Sequence, residues 1–197
     1  MAKIIGGGFI GAVIAFIWMW VSWTVLPWHD WAFQSFEHED FIGWVIKENT
    51  AKDGVYTIPG MDVKGKTKKE REESIEKQRK MLREGPFIYL HVNKEGMNPM
   101  SPRRYIVSFL TQFVGAAIAS FLLLQCKETS RYGKRFAVVL LFGVGVAVLA
   151  VVPRWNWFAT GSDYALVMIA DYVATWFLVA LALAGLVKPK RSVTRPM

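Results

Sequence analysis

Three places in this 197-residue chain carry residue types that could do chemistry. The first is Gly60-Met-Asp-Val-Lys-Gly65-Lys66-Thr67, which matches the phosphate-binding loop pattern between an expected strand and an expected helix. In that motif backbone amides cradle phosphates, the lysine reaches the terminal phosphates and the threonine holds magnesium. A nucleotide-binding fold needs a multi-stranded parallel sheet covered by helices, and the surrounding segment has room for only two short strands. No apolar strand ending in an aspartate comes after it. The match is therefore read as fortuitous, a turn running into a lysine-rich helix, and no cofactor is expected.

The second place is His29-Asp30 with Glu37-His38-Glu39-Asp40. Imidazole and carboxylate suit zinc or another divalent cation, which makes His29 and His38 weak metal candidates. Their spacing fits no ligand motif, and acids ahead of Phe41 already suit a helix N-terminus. The third is Asp171, about seven residues, or on the order of 10 Å, inside an apolar run. Burying a carboxylate there costs roughly 2.5–3.5 kcal/mol on insertion scales, so it should face other helices or an aqueous cavity. Gln112 lies at matching depth in another run, and Thr175 stands one turn after Asp171. These three form the candidate intramembrane polar site, with Gln112 the expected hydrogen-bond partner of the acid.

Catalytic constellations are missing. No nucleophile elbow, HExxH or CxxC occurs, and all three histidines precede the second apolar run. No catalytic residue is assigned, and a single cysteine, Cys126, leaves no internal disulfide. The +8 net charge does not indicate nucleic acid, because no aromatic residues interleave with a basic stripe.

Segregation of apolar and charged residues defines the elements that must position these side chains. Hydrophobic residues make up 53% although 20% are charged, and mean hydropathy is +0.25. The expected fold is an all-α membrane protein of four transmembrane helices with a small α/β extracytoplasmic cap between the first two. Residues 1–26 form the first span: the uncharged run Ile4–Leu26, roughly 34 Å as a helix, crosses a bilayer core of about 30 Å. The apolar run is too long for a cleaved signal, Trp18 to Trp28 offers no small-x-small cleavage site, and the segment reads as a retained anchor. Further spans are expected at 105–125, 136–152 and 164–187. The third ends at Pro153, and 153–163 is an outer turn. Residues 126–135 form a basic loop and 188–197 a basic tail.

Residues 27–104 form the cap, with strands at 54–58 and 87–92 and a polar helix at 68–84. The sequence from Asp40 to Lys47 has the apolar spacing of a further helix. Glu73–Lys77 and Glu76–Lys80 are expected to pair along the polar helix. Two strands and amphipathic helices bury little, so the cap is expected to rest on the spans or on a partner. Gly7-x-x-x-Gly11-x-x-x-Ala15 and Gly115-x-x-x-Ala119 allow close helix approach, within the bundle or to a partner's helix.

Lysine and arginine in the short connections set the orientation. Lys3, Lys127, Arg131, Lys134, Arg135, Lys188, Lys190, Arg191 and Arg195 share one side, whereas the third-to-fourth connection has only Arg154. Both termini are therefore read as cytoplasmic. Trp20, Trp23, Trp28, Trp31, Trp155 and Trp157 cluster at the opposite, outer interface, where indoles settle.

Leu26-Pro-Trp-His29, Gly54-Val-Tyr56, Gly85-Pro86 and Pro153-Arg-Trp-Asn-Trp157, followed by Asp171 and Trp176-Phe-Leu178, resemble a group of small bacterial four-helix membrane proteins. These have an LPWH-type exit from the first span and an NW-containing turn before the last. The resemblance implies a bacterial inner membrane and no particular activity. The lysine-rich segment around 64–80 is an addition to that pattern.

The expected function is non-enzymatic: an accessory or assembly subunit that contacts lipid and a larger membrane complex. A small transporter or proton-coupled protein using Asp171 is the alternative. No inverted repeat or broken helix is visible to favour it. An outer-surface enzyme acting on lipid, or using a metal at the His29–Asp40 cluster, comes third. The orientation makes a direct prediction. With Cys126 replaced, a cysteine at Ser74 reacts with an impermeant thiol reagent on intact cells, and one at Thr194 does not. Labelling at 194 alone reverses the topology.

Overall fold

The computed structural model describes residues 1–60, 67–125 and 131–189. It is mostly helical, with four helices long and apolar enough to cross a membrane. These are α1 (Ala2–Thr24), α5 (Pro102–Gln125), α6 (Tyr132–Phe158) and α7 (Ser162–Leu186). The shorter elements are α2 (Trp28–Ala32), α3 (Glu39–Asn49), β1 (Gly54–Ile58), α4 (Lys68–Glu84) and β2 (Ile88–Val92). Two compact units emerge, one of residues 1–34 and 99–197, the other of residues 35–98.

In the first unit α1 packs against both α5 and α7, and α6 packs against α7, whereas α5 and α6 scarcely meet. The small residues explain these choices. Gly7, Gly8 and Gly11 sit where an added methyl would strike Ser120 and Val187, Ala117 and Phe113, and Ala116, respectively. The glycine stripe of α1 is thus consumed by its neighbours inside the bundle, as close helix approach requires. Gly143 of α6 does the same for Trp176, whose side chain occupies the place a β-carbon would take. Leu123, Val139, Val179 and Leu183 fill the core between these contacts.

The C-terminal end of α7 leaves carbonyls that its own backbone cannot satisfy. Arg135 Nε donates to one of these, Ala184, at 2.7 Å, while Tyr132 donates to the Leu181 carbonyl one turn earlier at 2.9 Å and Lys3 Nζ to the Lys188 carbonyl just beyond the helix at 2.7 Å. Two of the three are cations, which also oppose the negative end of the helix dipole. Arg135 is buried there.

The third span departs from its expected bounds. Helix α6 continues through Pro153 to Phe158, so the segment expected to be shortest forms the longest helix, and the expected turn over 153–163 shrinks to about three residues. Proline removes one hydrogen bond and crowds the preceding turn, but near a helix end that loss is tolerated. Ala159 in the left-handed conformation (φ 50°) ends the helix instead, with the Thr160 hydroxyl bonded to the Arg154 carbonyl at 3.2 Å. Trp155 Nε1 donates to Ser162 Oγ at 3.1 Å across the turn.

The second unit is narrower than the 27–104 segment expected, since residues 27–34 and 99–104 belong with the helices. Strands β1 and β2 pair antiparallel from Gly54 opposite Val92 to Ile58 opposite Ile88. Lys94 ties the end of α3 to the sheet through the Thr50 carbonyl (2.6 Å) and the Asp53 carboxylate (2.9 Å). Helix α4 has no buried residue. Ion pairs along it join Glu76 to Arg79 and Lys80 to Glu84, so Glu76 and Lys80 turn to other neighbours than each other.

The glycine contacts can be tested as a matched pair. Gly143→Ala must displace Trp176, and overpacking of this kind costs about 1–3 kcal/mol. Gly145, two residues on, has open space at its β-position. Gly145→Ala is expected to leave the thermal unfolding midpoint in mild detergent unchanged or raised, while Gly143→Ala lowers it. Equal midpoints would show that the Trp176 seat is not tight.

Candidate functional site

Asp171 lies in α7 where the last turn of α1 crosses it, and it is 7% exposed. Two donors from α1 converge on one carboxylate oxygen. The Trp18 indole N–H donates to Oδ1 at 2.8 Å, and the Ser22 hydroxyl donates to the same atom at 2.8 Å. Four residues separate Trp18 from Ser22, so both project from one face of α1. The Thr175 hydroxyl donates to the Asp171 backbone carbonyl at 2.8 Å, one turn along the same helix.

The unexpected member is His29. The chain leaves α1 at Leu26-Pro27 and turns back as the short α2, which packs against α7. This folding back buries His29 to 3% exposure and places Nε2 3.0 Å from Ser22 Oγ and 3.7 Å from Asp171 Oδ2. Trp23 stacks on the imidazole with centroids 3.9 Å apart and planes 13° from parallel. Trp28 donates its indole N–H to Ser22 Oγ at 3.0 Å. A five-residue helix has no stability of its own. These side-chain bonds, and the edge-on packing of Trp28 against Trp18, hold it.

Counting hydrogens assigns the protons. Ser22 has one hydrogen and two lone pairs. The hydrogen goes to Asp171 Oδ1, and Trp28 occupies one lone pair. The imidazole then meets the other lone pair, so Nε2 carries the hydrogen. Nδ1 is buried and has no hydrogen-bond partner among the described residues. A buried polar atom of this kind calls for an explanation.

The arrangement is not that of a Ser-His-Asp hydrolase. There the imidazole stands between serine and carboxylate, using one nitrogen for each. Here the serine stands between histidine and carboxylate, a single nitrogen faces both, and Ser22 is wholly buried. What the order His29–Ser22–Asp171 provides is a line of hydrogen bonds along which protons can shift.

On its other side Asp171 reaches a cleft of about 620 Å³ where α5 and α6 diverge. Gln112 and Thr111 of α5, Phe142 and Val146 of α6, Tyr172, Thr175 and Trp176 of α7 and Trp23 of α1 line it. Gln112 therefore shares a cavity with Asp171, but the hydrogen-bond partners of the acid are Trp18 and Ser22. The depth match between Gln112 and Asp171 is real, yet α1 stands nearer to α7 than α5 does.

The remaining expected sites stay apart from this cluster. His38 occupies the N-cap position of α3 without a side-chain capping bond and is exposed. Among the described residues no three histidine, cysteine, aspartate or glutamate side chains are placed to hold a metal ion. Thr67 is the N-cap of α4: its side chain accepts from the Glu70 amide, while its backbone N–H donates to the Glu70 carboxylate at 2.7 Å. The threonine of the phosphate-loop pattern thus belongs to a capping box. Gly60 ends the turn after β1, and Gly65, Lys66 and Cys126 lie outside the described residues. No family model, no curated protein and no solved structure matches the chain.

Sequence reasoning named His29 and Asp171 separately and did not pair them. The available signal was Pro27 immediately before Trp-His, because proline initiates a turn or a helix and could have suggested a fold-back.

The hydrogen-bond pattern predicts a graded response at position 171. Asp171→Asn keeps an acceptor oxygen for Trp18 and Ser22 and is expected to unfold close to the parent temperature. Asp171→Leu leaves both donors unpaired, a loss of about 1–3 kcal/mol, which thermal unfolding followed by tryptophan fluorescence would register. Equal stability of all three proteins would show that these bonds carry little weight.

Proposed function

We propose that this chain is a small proton-coupled membrane protein, not an enzyme, whose working part is the His29–Ser22–Asp171 line. The observation that carries this reading is the buried, unpartnered Nδ1 at one end of the line and the cleft at the other. A proton added at Nδ1 makes the imidazole cationic. The Nε2–H bond then breaks as Ser22 Oγ gains that proton, while the serine's own proton passes to Asp171 Oδ1. The imidazole ends neutral with its hydrogen on Nδ1, and Asp171 ends neutral facing the cleft. Each heavy-atom step spans a hydrogen-bond distance of 2.8–3.0 Å. Ionisable groups inside membrane bundles mark such relays, pairing with one another across the interior.

The Lys/Arg asymmetry supports a multi-pass protein of the bacterial inner membrane with cytoplasmic termini and an extracytoplasmic 35–98 unit. A second reading, an accessory subunit of a membrane complex, is favoured by α4, a 17-residue helix with no buried residue that offers a charged surface to a partner. The glycine stripe of α1 gives that reading no support, since it is occupied within the bundle.

Purified protein in vesicles loaded with a pH-sensitive dye tests the leading reading under an imposed potassium diffusion potential. The parent protein and Gly145→Ala are expected to take up protons faster than protein-free vesicles, and Asp171→Asn and His29→Gln to fall to the protein-free rate while remaining folded. Uptake by folded Asp171→Asn at the parent rate would remove Asp171 from the function. Absence of uptake by the parent would leave the accessory reading.

A further inference from the structure

We propose that the cleft between α5 and α6 binds a lipophilic organic cation, which competes with a proton for Asp171. The inference rests on the proton-coupled reading and adds the class of ligand.

A cleft of about 620 Å³ lies within the roughly 300–1,000 Å³ typical of small-molecule sites. Its walls are mostly apolar, so an occupant must be greasy. Their chemistry is also one-sided in charge. Asp171 is the only carboxylate among the lining residues, and no lysine, arginine or histidine joins it. Four aromatic side chains, Trp23, Phe142, Tyr172 and Trp176, stand around it. Aromatic faces together with one carboxylate form the surroundings that recognise quaternary and lipophilic cations, through ring quadrupoles and direct charge. A neutral lipid chain could fill the volume but would leave the acid without a counter-charge on the cleft side.

Proton and cation would exclude each other through the same atom set. The titratable groups near Asp171 are His29 from α2, with Nε2 3.7 Å from Oδ2, and Tyr172, the next residue of α7, which lines the same cleft. Helix α1 contributes Trp18 and Ser22, α5 contributes Gln112 and Thr111, and α6 contributes only apolar side chains to the cleft. With His29 neutral and Asp171 ionised, the cleft carries one net negative charge and takes the cation. A proton entering at His29 cancels that charge, whichever of the three residues holds it, and the cation leaves. Trp23 joins the two events physically, because its ring both stacks on His29 and forms part of the cleft wall.

Binding of tetraphenylphosphonium to the full chain in detergent, followed by calorimetry, tests this. Saturable binding is expected at about pH 8, weakened about tenfold or more at about pH 5.5, the span in which histidine ordinarily changes charge. Asp171→Asn is expected to lose about tenfold or more, the worth of one charge-assisted contact, together with the pH dependence. Gly145→Ala is expected to match the parent. Triphenylmethanol, a neutral multi-ring compound, is expected to bind far more weakly. Equal binding of the neutral compound, or undiminished and pH-independent affinity in Asp171→Asn, would overturn the proposal. The comparison of cation with neutral compound, and the pH dependence of the parent, stand even where the variant fails to fold. Proton uptake without cation binding would defeat this inference alone, whereas loss of both would defeat the proton-coupled reading as well.

Discussion

A carboxylate inside an apolar helix bundle has to be given donors, and much of the first unit depends on how Asp171 gets them. Both donors to Oδ1 come from α1, through Trp18 and Ser22, so α1 is fixed in rotation and depth against α7. Ser22 cannot also satisfy the two nitrogens that approach it unless α2 turns back, since Trp28 and His29 reach it only from that position. The short α2 is therefore a consequence of the buried acid rather than an independent helix. Interhelical hydrogen bonds of this kind contribute about 0.6–2 kcal/mol each, and sharing one acceptor and one hydroxyl concentrates them at a single place.

Side-chain size then decides which helices meet. Between membrane helices apolar surface gives little drive, and close backbone approach supplies the packing. Helix α1 offers Gly7, Gly8 and Gly11 and so gains two neighbours. Helix α6 offers Gly143 and accepts Trp176 of α7, whose ring also packs edge-on against Phe142 at 5.0 Å. Helix α5 has Gly115 facing the same indole. One large ring thus stands between α5 and α6, and the space on its flank is the cleft that Asp171 reaches. On the proposed reading, the polar line and the cleft form one device because Asp171 borders both.

Residues 35–98 are held by more local means. Strand pairing, the Thr67–Glu70 capping box and the Lys94 bonds act over short stretches or between adjoining ends. Phe41 and Trp44, stacked on the surface of α3 and each 60% exposed, show how little apolar surface this unit buries. Surface ion pairs along α4 add little to stability, so its helicity draws on good helix formers and the cap at its start.

Four spans were legible because twenty-odd apolar residues in a row leave few alternatives in either water or lipid. Strand β1 and helix α4 were legible for a related reason, since turn residues and a threonine–glutamate cap act within a few positions of each other. The passage of α6 through Pro153 was not, because a proline near a helix end costs one bond and the residues beyond it decide whether the helix resumes. The acid was visible as an anomaly in its own helix. Its partners were not: Trp18, Ser22 and His29 lie about 140 to 155 residues away in the chain, and each has an ordinary explanation where it stands, two in the first span and one at its exit. Composition along the chain determined that four helices are long and apolar enough to cross a membrane and that Asp171 needed a partner among them. Only the packing of small residues, which brought α1 rather than α5 against that face of α7, decided that the hydrogen-bond partners would be Trp18 and Ser22, with His29 behind them, and not Gln112.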